Sequence, residues 1–204
     1  MNPILDRPAL FVRQRKELAE LFGYETRNKY ELRDEHGATL GFCAEQQKGL
    51  FGFFLRQMLG HWRRFDVQFF DAQRQPLWRA THPFRWLFQR FEVEDAAGRR
   101  IGALQQRFAF FSRLFDIEDA GGRVVLRMES SFFQFWTFPV FRDGREAARI
   151  EKKWSGLLTE VFTDADNFRV GFGAELSEDE RALVLAGAVF VDLQYFERKA
   201  GNDR

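Results

Sequence analysis

Ser177-Glu-Asp-Glu-Arg-Ala-Leu-Val-Leu-Ala-Gly-Ala-Val-Phe-Val-Asp-Leu-Gln-Tyr-Phe196 is the stretch that decides the fold of this chain. Ser177 followed three residues later by Glu180 reads as a capping box, and Glu178 and Asp179 suit a first helical turn. From Ala182 to Val191 every residue is apolar, and the run resumes after Asp192 with Leu193, Tyr195 and Phe196. A helix without a polar face is buried on all sides, in a large core or in a bilayer. At about 1.5 Å per residue, Ala182 to Phe196 reaches roughly 22 Å, short of a hydrocarbon layer about 30 Å thick. The expected element is therefore a helix from about 178 to 197, enclosed by the rest of the protein, with Leu183, Ala186, Gly187, Phe190 and Asp192 in the core. Asp192 interrupts the buried run, as a hydrogen-bonded structural carboxylate that fixes the helix in place.

The rest of the chain must supply the enclosure. It has 204 residues, which suits one domain over 1–204 with short flexible ends at 1–8 and 200–204. Asp-centred turns recur at Asp34-Glu-His-Gly37, Asp71-Ala-Gln-Arg74, Asp95-Ala-Ala-Gly98, Asp119-Ala-Gly-Gly122, Asp143-Gly144 and Asp164-Ala-Asp-Asn167. Asp and Gly start turns and supply positive φ. Alternating runs such as Phe91-Glu-Val-Glu94 and Phe115-Asp-Ile-Glu118 precede them, with the period of half-buried strands. Six hairpins give about twelve strands. The predicted fold class is all-β with one central helix: a closed antiparallel barrel whose lumen the helix fills, since closure removes the sheet edges.

An up-and-down meander also sorts chemistry between its ends. All six Asp turns are expected at one end, which becomes acidic. The linking stretches at the other end contrast with them. Gln46 to Phe65 contains no acid and carries Lys48, Arg56, Arg63 and Arg64 among Phe51, Phe53, Phe54 and Trp62. Ala72 to Phe91 places Arg79, Arg85 and Arg90 beside Trp78, Phe84, Trp86, Leu87 and Phe88. Phe108, Phe110, Phe111, Phe133, Phe135, Trp136 and Phe138 continue the theme. A net charge of +1 thus conceals a polarised molecule and argues against a nucleic-acid partner. Two arrangements account for the 26 phenylalanines: inward packing against the helix under Arg stems, or display at a membrane interface. The amino terminus lacks the pattern of a secretory signal, so a chain that is not secreted is expected.

Gly23-Tyr-Glu-Thr-Arg-Asn-Lys-Tyr-Glu-Leu32, Lys153-Trp-Ser-Gly-Leu-Leu-Thr-Glu-Val-Phe-Thr-Asp-Ala-Asp-Asn-Phe168 and the helix through Phe196-Glu197 resemble the phospholipid scramblase family. The resemblance implies a tubby-like barrel around a central helix, the superfamily that includes the LURP-one-related proteins. Animal members carry a proline-rich leader and cysteine clusters that look like palmitoylation sites. This sequence reads instead as a member lacking both, with Phe53-Phe-Leu55, Phe84-Arg-Trp-Leu-Phe88 and Phe132-Phe-Gln-Phe-Trp136 where the clusters would fall. Encoded aromatics are expected to take the place of acyl chains, with Phe51, Phe53, Phe54, Arg56, Trp62, Arg63, Arg64, Arg85 and Trp86 facing lipid.

The resemblance further implies a calcium loop running from Asp164 through Asp166 to Glu175. These match the first, third and twelfth positions of an EF-hand loop, but Phe168 and Arg169 do not suit its fifth and sixth. The bland reading is that Asp164 and Asn167 form a turn. Cys43 reads as a small buried hydrophobe, and no two of His36, His61 and His82 have ligand spacing. No catalytic constellation is present in the sequence, so a non-enzymatic protein is expected. The resemblance implies work on phospholipid membranes, either calcium-responsive movement of lipid between leaflets or binding to one leaflet, with anionic lipid favoured, in the cytoplasm or at the inner face of the plasma membrane. The alternative is a non-enzymatic soluble binding module that uses the same barrel for an anionic lipid or phosphoinositide, a protein or a nucleic-acid partner.

Overall fold

The computed structural model describes residues 2–14, 29–46, 65–83, 85, 87–131, 133, 136–153 and 167–196. Twelve strands follow one another as β1 (Ala9–Gln14), β2 (Lys29–Arg33), β3 (Thr39–Gln46), β4 (Phe65–Asp71), β5 (Pro76–His82), β6 (Arg90–Asp95), β7 (Arg100–Arg107), β8 (Ser112–Asp119), β9 (Val124–Ser131), β10 (Thr137–Arg142), β11 (Arg145–Lys153) and β12 (Asn167–Phe172). Each pairs antiparallel with its neighbours in sequence, and β1 closes on β12 with Leu10 opposite Val170. The helix α1 (Glu178–Val191) follows β12 and ends in a π-helical turn, Asp192–Phe196. A closed barrel leaves no strand edge unpaired, which is the arrangement the sequence called for.

The turns are built by one repeated device. Asp34, Asp71, Asp95 and Asp119 each donate their backbone N–H to the carbonyl four residues on. Each carboxylate also accepts the N–H of that fourth residue: Ala38, Gln75, Arg99 and Arg123. The residue before it must take positive φ. Gly98 and Gly122 do so at 83° and 82°, whereas Arg74 fills the same slot at 65°.

Period two then sorts the side chains. Val67 and Phe69, Ala80 and His82, Phe91 and Val93, and Phe115 and Ile117 point into the lumen and are buried. The ring of Phe190 stacks on Phe91 with centroids 5.0 Å apart and meets Phe115 edge-on at 5.8 Å. Gly102 lets α1 approach the wall, because a Cβ there would meet the Glu118 carbonyl oxygen and lie 2.9 Å from Leu183. Leu183, Ala186, Phe190 and Asp192 are all at most 2% exposed, and Gly187 is buried with them.

The helix is fixed at both ends. Ser177 accepts from the Glu180 N–H while Glu180 accepts from the Ser177 N–H, completing the capping box. Arg99, from the β6–β7 turn, grips Asp179 with two bonds of 2.9 and 3.0 Å, and Arg142 of β10 pairs with Glu180. Arg181 donates to the carbonyls of Leu5, Arg7 and Gly173. The leader, expected as a loose end, is thereby folded under the barrel, with Ile4 and Leu5 buried. At the far end Tyr30 donates its hydroxyl proton to Asp192 at 2.8 Å, and Lys152 stands 3.8 Å from the other carboxylate oxygen. A carboxylate beside the negative end of a helix is unfavourable alone, and these two partners offset it.

One expectation about the ends is corrected. The turns at Asp34, Asp71, Asp95, Asp119 and Asp143 share one end of the barrel. Of the sixth, Asp164 to Asp166 lie outside the described residues, but its last residue, Asn167, opens β12 opposite Lys153 and Arg13, at the other end. An odd count of strand passages separates it from the rest.

Two outcomes are expected. Gly102→Ala should cost about 3 kcal/mol or more in urea denaturation, because backbone rather than a side-chain tip occupies the space. Hydrogen bonds from the Arg99 and Arg123 backbone, ahead of their side chains, hold Asp95 and Asp119 below the ordinary carboxylate pKa. A depressed folded pKa gives stability that is present above the unfolded value and lost as pH falls through the folded one. Stability should therefore fall below about pH 4, and Asp119→Asn should flatten that fall in acid titrations followed by circular dichroism.

Candidate functional site

Among the described residues the large apolar side chains that remain exposed are Leu87, Phe88, Phe108, Phe110, Phe111, Val124, Phe133 and Trp136. All but Val124 belong to three links, β5–β6, β7–β8 and β9–β10, which emerge at the end opposite the Asp turns. Neighbouring links stand two strand spacings apart, about 10 Å around the rim. The seven side chains therefore form one apolar arc over half of the barrel mouth.

The β7–β8 link is its prow. Phe110 and Phe111 are 77% and 80% exposed, and Phe108 packs edge-on against Phe110 with centroids 4.8 Å apart. At this exposure most of the surface of each ring faces solvent. Phe133 is 85% exposed and Leu87 75%. For Leu87, Phe108, Phe110, Phe111 and Phe133 the inward alternative is excluded, while Phe138, the second residue of β10, is fully buried. Patches of exposed aromatic and aliphatic side chains mark interaction surfaces.

Below the rim a belt of charge crosses the outside of the barrel. Arg90 of β6 bonds Glu92 at 2.9 Å, Glu118 of β8 at 2.9 Å and Gln105 of β7 at 3.1 Å. Arg107 and Arg127 bond the two oxygens of Asp116 at 2.7 and 3.0 Å. Burial works against the charge on Arg90, yet its bonds to Glu118 and then Glu92 push its pKa up. The belt ties four adjacent strands together at the roots of the links.

Of the residues nominated from sequence, Arg85 is exposed within the β5–β6 link. Phe51, Phe53, Phe54, Arg56, Trp62, Arg63, Arg64 and Trp86 lie outside the described residues. The first seven belong to the link between Gln46 and Phe65, strand ends on the same rim. Asp164 and Asp166 also lie outside them. The twelve-residue calcium loop does not fit: Asn167–Phe172 is a strand paired on both sides, so Glu175 follows it at the far end of the barrel. Six residues at about 3.3 Å each carry it some 20 Å from the start of β12. Among the described residues no three His, Cys, Asp or Glu side chains are grouped to hold a metal ion. Cys43 is buried, and burial, with Asp192 nearby, raises its thiol pKa well above the ordinary value, as an inert core residue requires.

Sequence reading overlooked what holds the links. His82 is stacked between Phe65 and Phe190 and bonded to Gln89 at 2.6 Å. Gln106 accepts from the Gln89 N–H, and Gln105 donates to the Phe88 carbonyl. A polar Gln106 in the inward row of Gly102 and Leu104 was the available signal.

The Scramblase family model matches residues 1–198. A phospholipid scramblase family protein of Schizosaccharomyces pombe is 24% identical over 98% of the chain and 62% of its own length. Human phospholipid scramblase 2 is 27% identical over 93% of the chain and 67% of its own length. Human phospholipid scramblase 1 is 25% identical, over 96% and 65%. The chain thus spans about two thirds of these relatives. An X-ray structure of an Arabidopsis thaliana protein superposes with a TM-score of 0.51 at 11% identity, covering 94% of this chain and 98% of that one, a likeness of fold.

Exposure separates two classes of aromatic substitution. Phe110→Ser and Phe111→Ser are expected to change unfolding free energy by no more than about 0.5 kcal/mol. Phe115→Ser, three residues into β8 and fully buried, should cost at least about 3 kcal/mol in the same urea titration.

Proposed function

The chain belongs to the Scramblase family, and from that membership we propose that it acts on phospholipid membranes by seating its aromatic rim in one leaflet. The observation that carries this reading is the confinement of Leu87, Phe88, Phe108, Phe110, Phe111, Phe133 and Trp136 to a single end of the barrel. Aromatic rings suit the boundary between headgroups and acyl chains, and cationic neighbours add attraction to an anionic surface. Arg85 stands on this rim, and Arg56, Arg63 and Arg64 belong to a link that starts and ends there. Anionic lipid is the favoured partner.

Three of the relatives above carry phospholipid scrambling in their names. Among the described residues no helix is long and apolar enough to cross a membrane. The apolar helix is spent on the lumen, so it offers lipids no polar path. Movement of lipid between leaflets then falls to disturbance of the leaflet by inserted rings, a physical rather than a covalent process. Arg85 and the links beside it supply the binding, and the barrel supplies a rigid mount.

Flotation with vesicles of phosphatidylcholine alone, and with added phosphatidylserine, tests the binding. Wild type is expected to float, more strongly with phosphatidylserine. The double substitution Phe110→Ser and Phe111→Ser should lower the bound fraction at least about tenfold, since each ring contributes on the order of 1.5 kcal/mol when buried. No flotation with either vesicle overturns the reading. Dithionite quenching of fluorescent lipid in the same vesicles separates the two activities: loss of inner-leaflet protection shows lipid movement, and retained protection shows attachment alone.

A further inference from the structure

Phe88 has a backbone φ of +51°, a region that a bulky L-residue rarely adopts. Such strain persists only where the surroundings over-determine it. Here they do. Gln105 donates its side-chain N–H to the Phe88 carbonyl at 3.3 Å and to the Gln89 and Gln106 carbonyls at 3.4 and 3.1 Å. Gln89 is held through its whole backbone: its N–H donates to the Gln106 side chain at 3.0 Å, and its carbonyl accepts the Gln106 N–H at 2.8 Å. Its side chain reaches inward to His82, which stacks on Phe190 of the central helix at 5.8 Å. Gln105 is in turn fixed by Arg90, and Arg90 by Glu92 and Glu118.

The outcome of this clamp is display. Leu87 and Phe88, the two apolar residues at its head, are exposed, whereas every other described part of the clamp is buried or half-buried. We propose that Gln105 and Gln106 are positioning residues for the rim: Gln105 directly, and Gln106 through Gln89, hold Phe88 in a disfavoured conformation so that its ring faces the leaflet already arranged. The inference rests on the membrane reading above. Arrangement before contact lowers the ordering cost of binding, which is where preorganised surfaces gain affinity.

Two measurements test it. The first reads the backbone without lipid. Both Phe88→Gly and Phe88→Ala remove the ring, but only glycine accepts positive φ freely, so the glycine variant should melt about 2–4 °C higher than the alanine variant. An alanine variant as stable as the glycine one overturns the clamp. The second reads function by vesicle flotation. Phe88→Ala and Gln106→Leu are each expected to weaken binding about three- to tenfold, and the double variant no further, because the clamp acts only through the displayed ring. Full binding by Gln106→Leu, or additive losses in the double variant, overturns the positioning role while leaving the membrane reading in place. A wild-type chain that binds no vesicle overturns both.

Discussion

A helix that is apolar all round cannot stand on a protein surface, and the rest of this structure follows from that constraint. Residues Ala182 to Val191 are buried without exception, and the barrel is the device that buries them. Its inner face supplies aromatic and branched side chains at the period-two positions, and its small residues are placed where the helix comes closest. A polar bond at each end sets the depth: Arg99, Arg142 and Arg181 hold the acidic start, and Tyr30 and Lys152 hold Asp192 near the finish. Five elements far apart in sequence thereby converge on one helix.

The same enclosure frees the ends to differ. In a closed meander the wall carries the fold, so links and turns are relieved of packing duties and take on separate chemistry. At one end Asp side chains satisfy backbone N–H groups that a tight turn would otherwise leave to solvent. At the other, the links carry rings that stay largely exposed, Phe110, Phe111 and Phe133 at 77%, 80% and 85%. The belt of Arg90, Arg107, Asp116 and Glu118 lies between wall and rim, so the rings stand on a cross-linked base rather than on loose loops. Exposed apolar surface usually weakens a protein's solubility, and a fold that keeps seven such side chains, among the described residues, on one rim gains something from them.

Most of the architecture was legible in the sequence because it is written in local terms. A capping box, an unbroken apolar run, alternating strands and Asp turns each depend on a few neighbouring residues, and together they left little besides a filled barrel. The site was less legible. Whether Phe110 points in or out depends on where β7 ends, and a run of Phe-Ala-Phe-Phe does not say. The Asp164 turn looked like its five predecessors, but strand parity places the start of β12 at the other end, and a family-derived loop to Glu175 crosses that whole strand. The clamp on Phe88 was invisible for a different reason: it is made by Gln and backbone groups from β7 and the β5–β6 link, 16 to 17 residues apart, and positive φ leaves no mark on a phenylalanine.

The central claim, that the aromatic end rather than the acidic end meets the bilayer, is tested most directly by spin-label depth measurements. Single Phe110→Cys and Val124→Cys variants place a nitroxide on an exposed site at each end, roughly 25 Å apart along eight-residue strands at about 3.3 Å per residue. Cys43 is buried and its thiol pKa is raised, so it can stay in place unlabelled. On adding phosphatidylserine-containing vesicles, the label at position 110 is expected to gain collisions with oxygen and lose collisions with a water-soluble nickel chelate, while the label at 124 stays in water. Equal exposure of both labels to the chelate, or shielding of position 124 alone, contradicts the account.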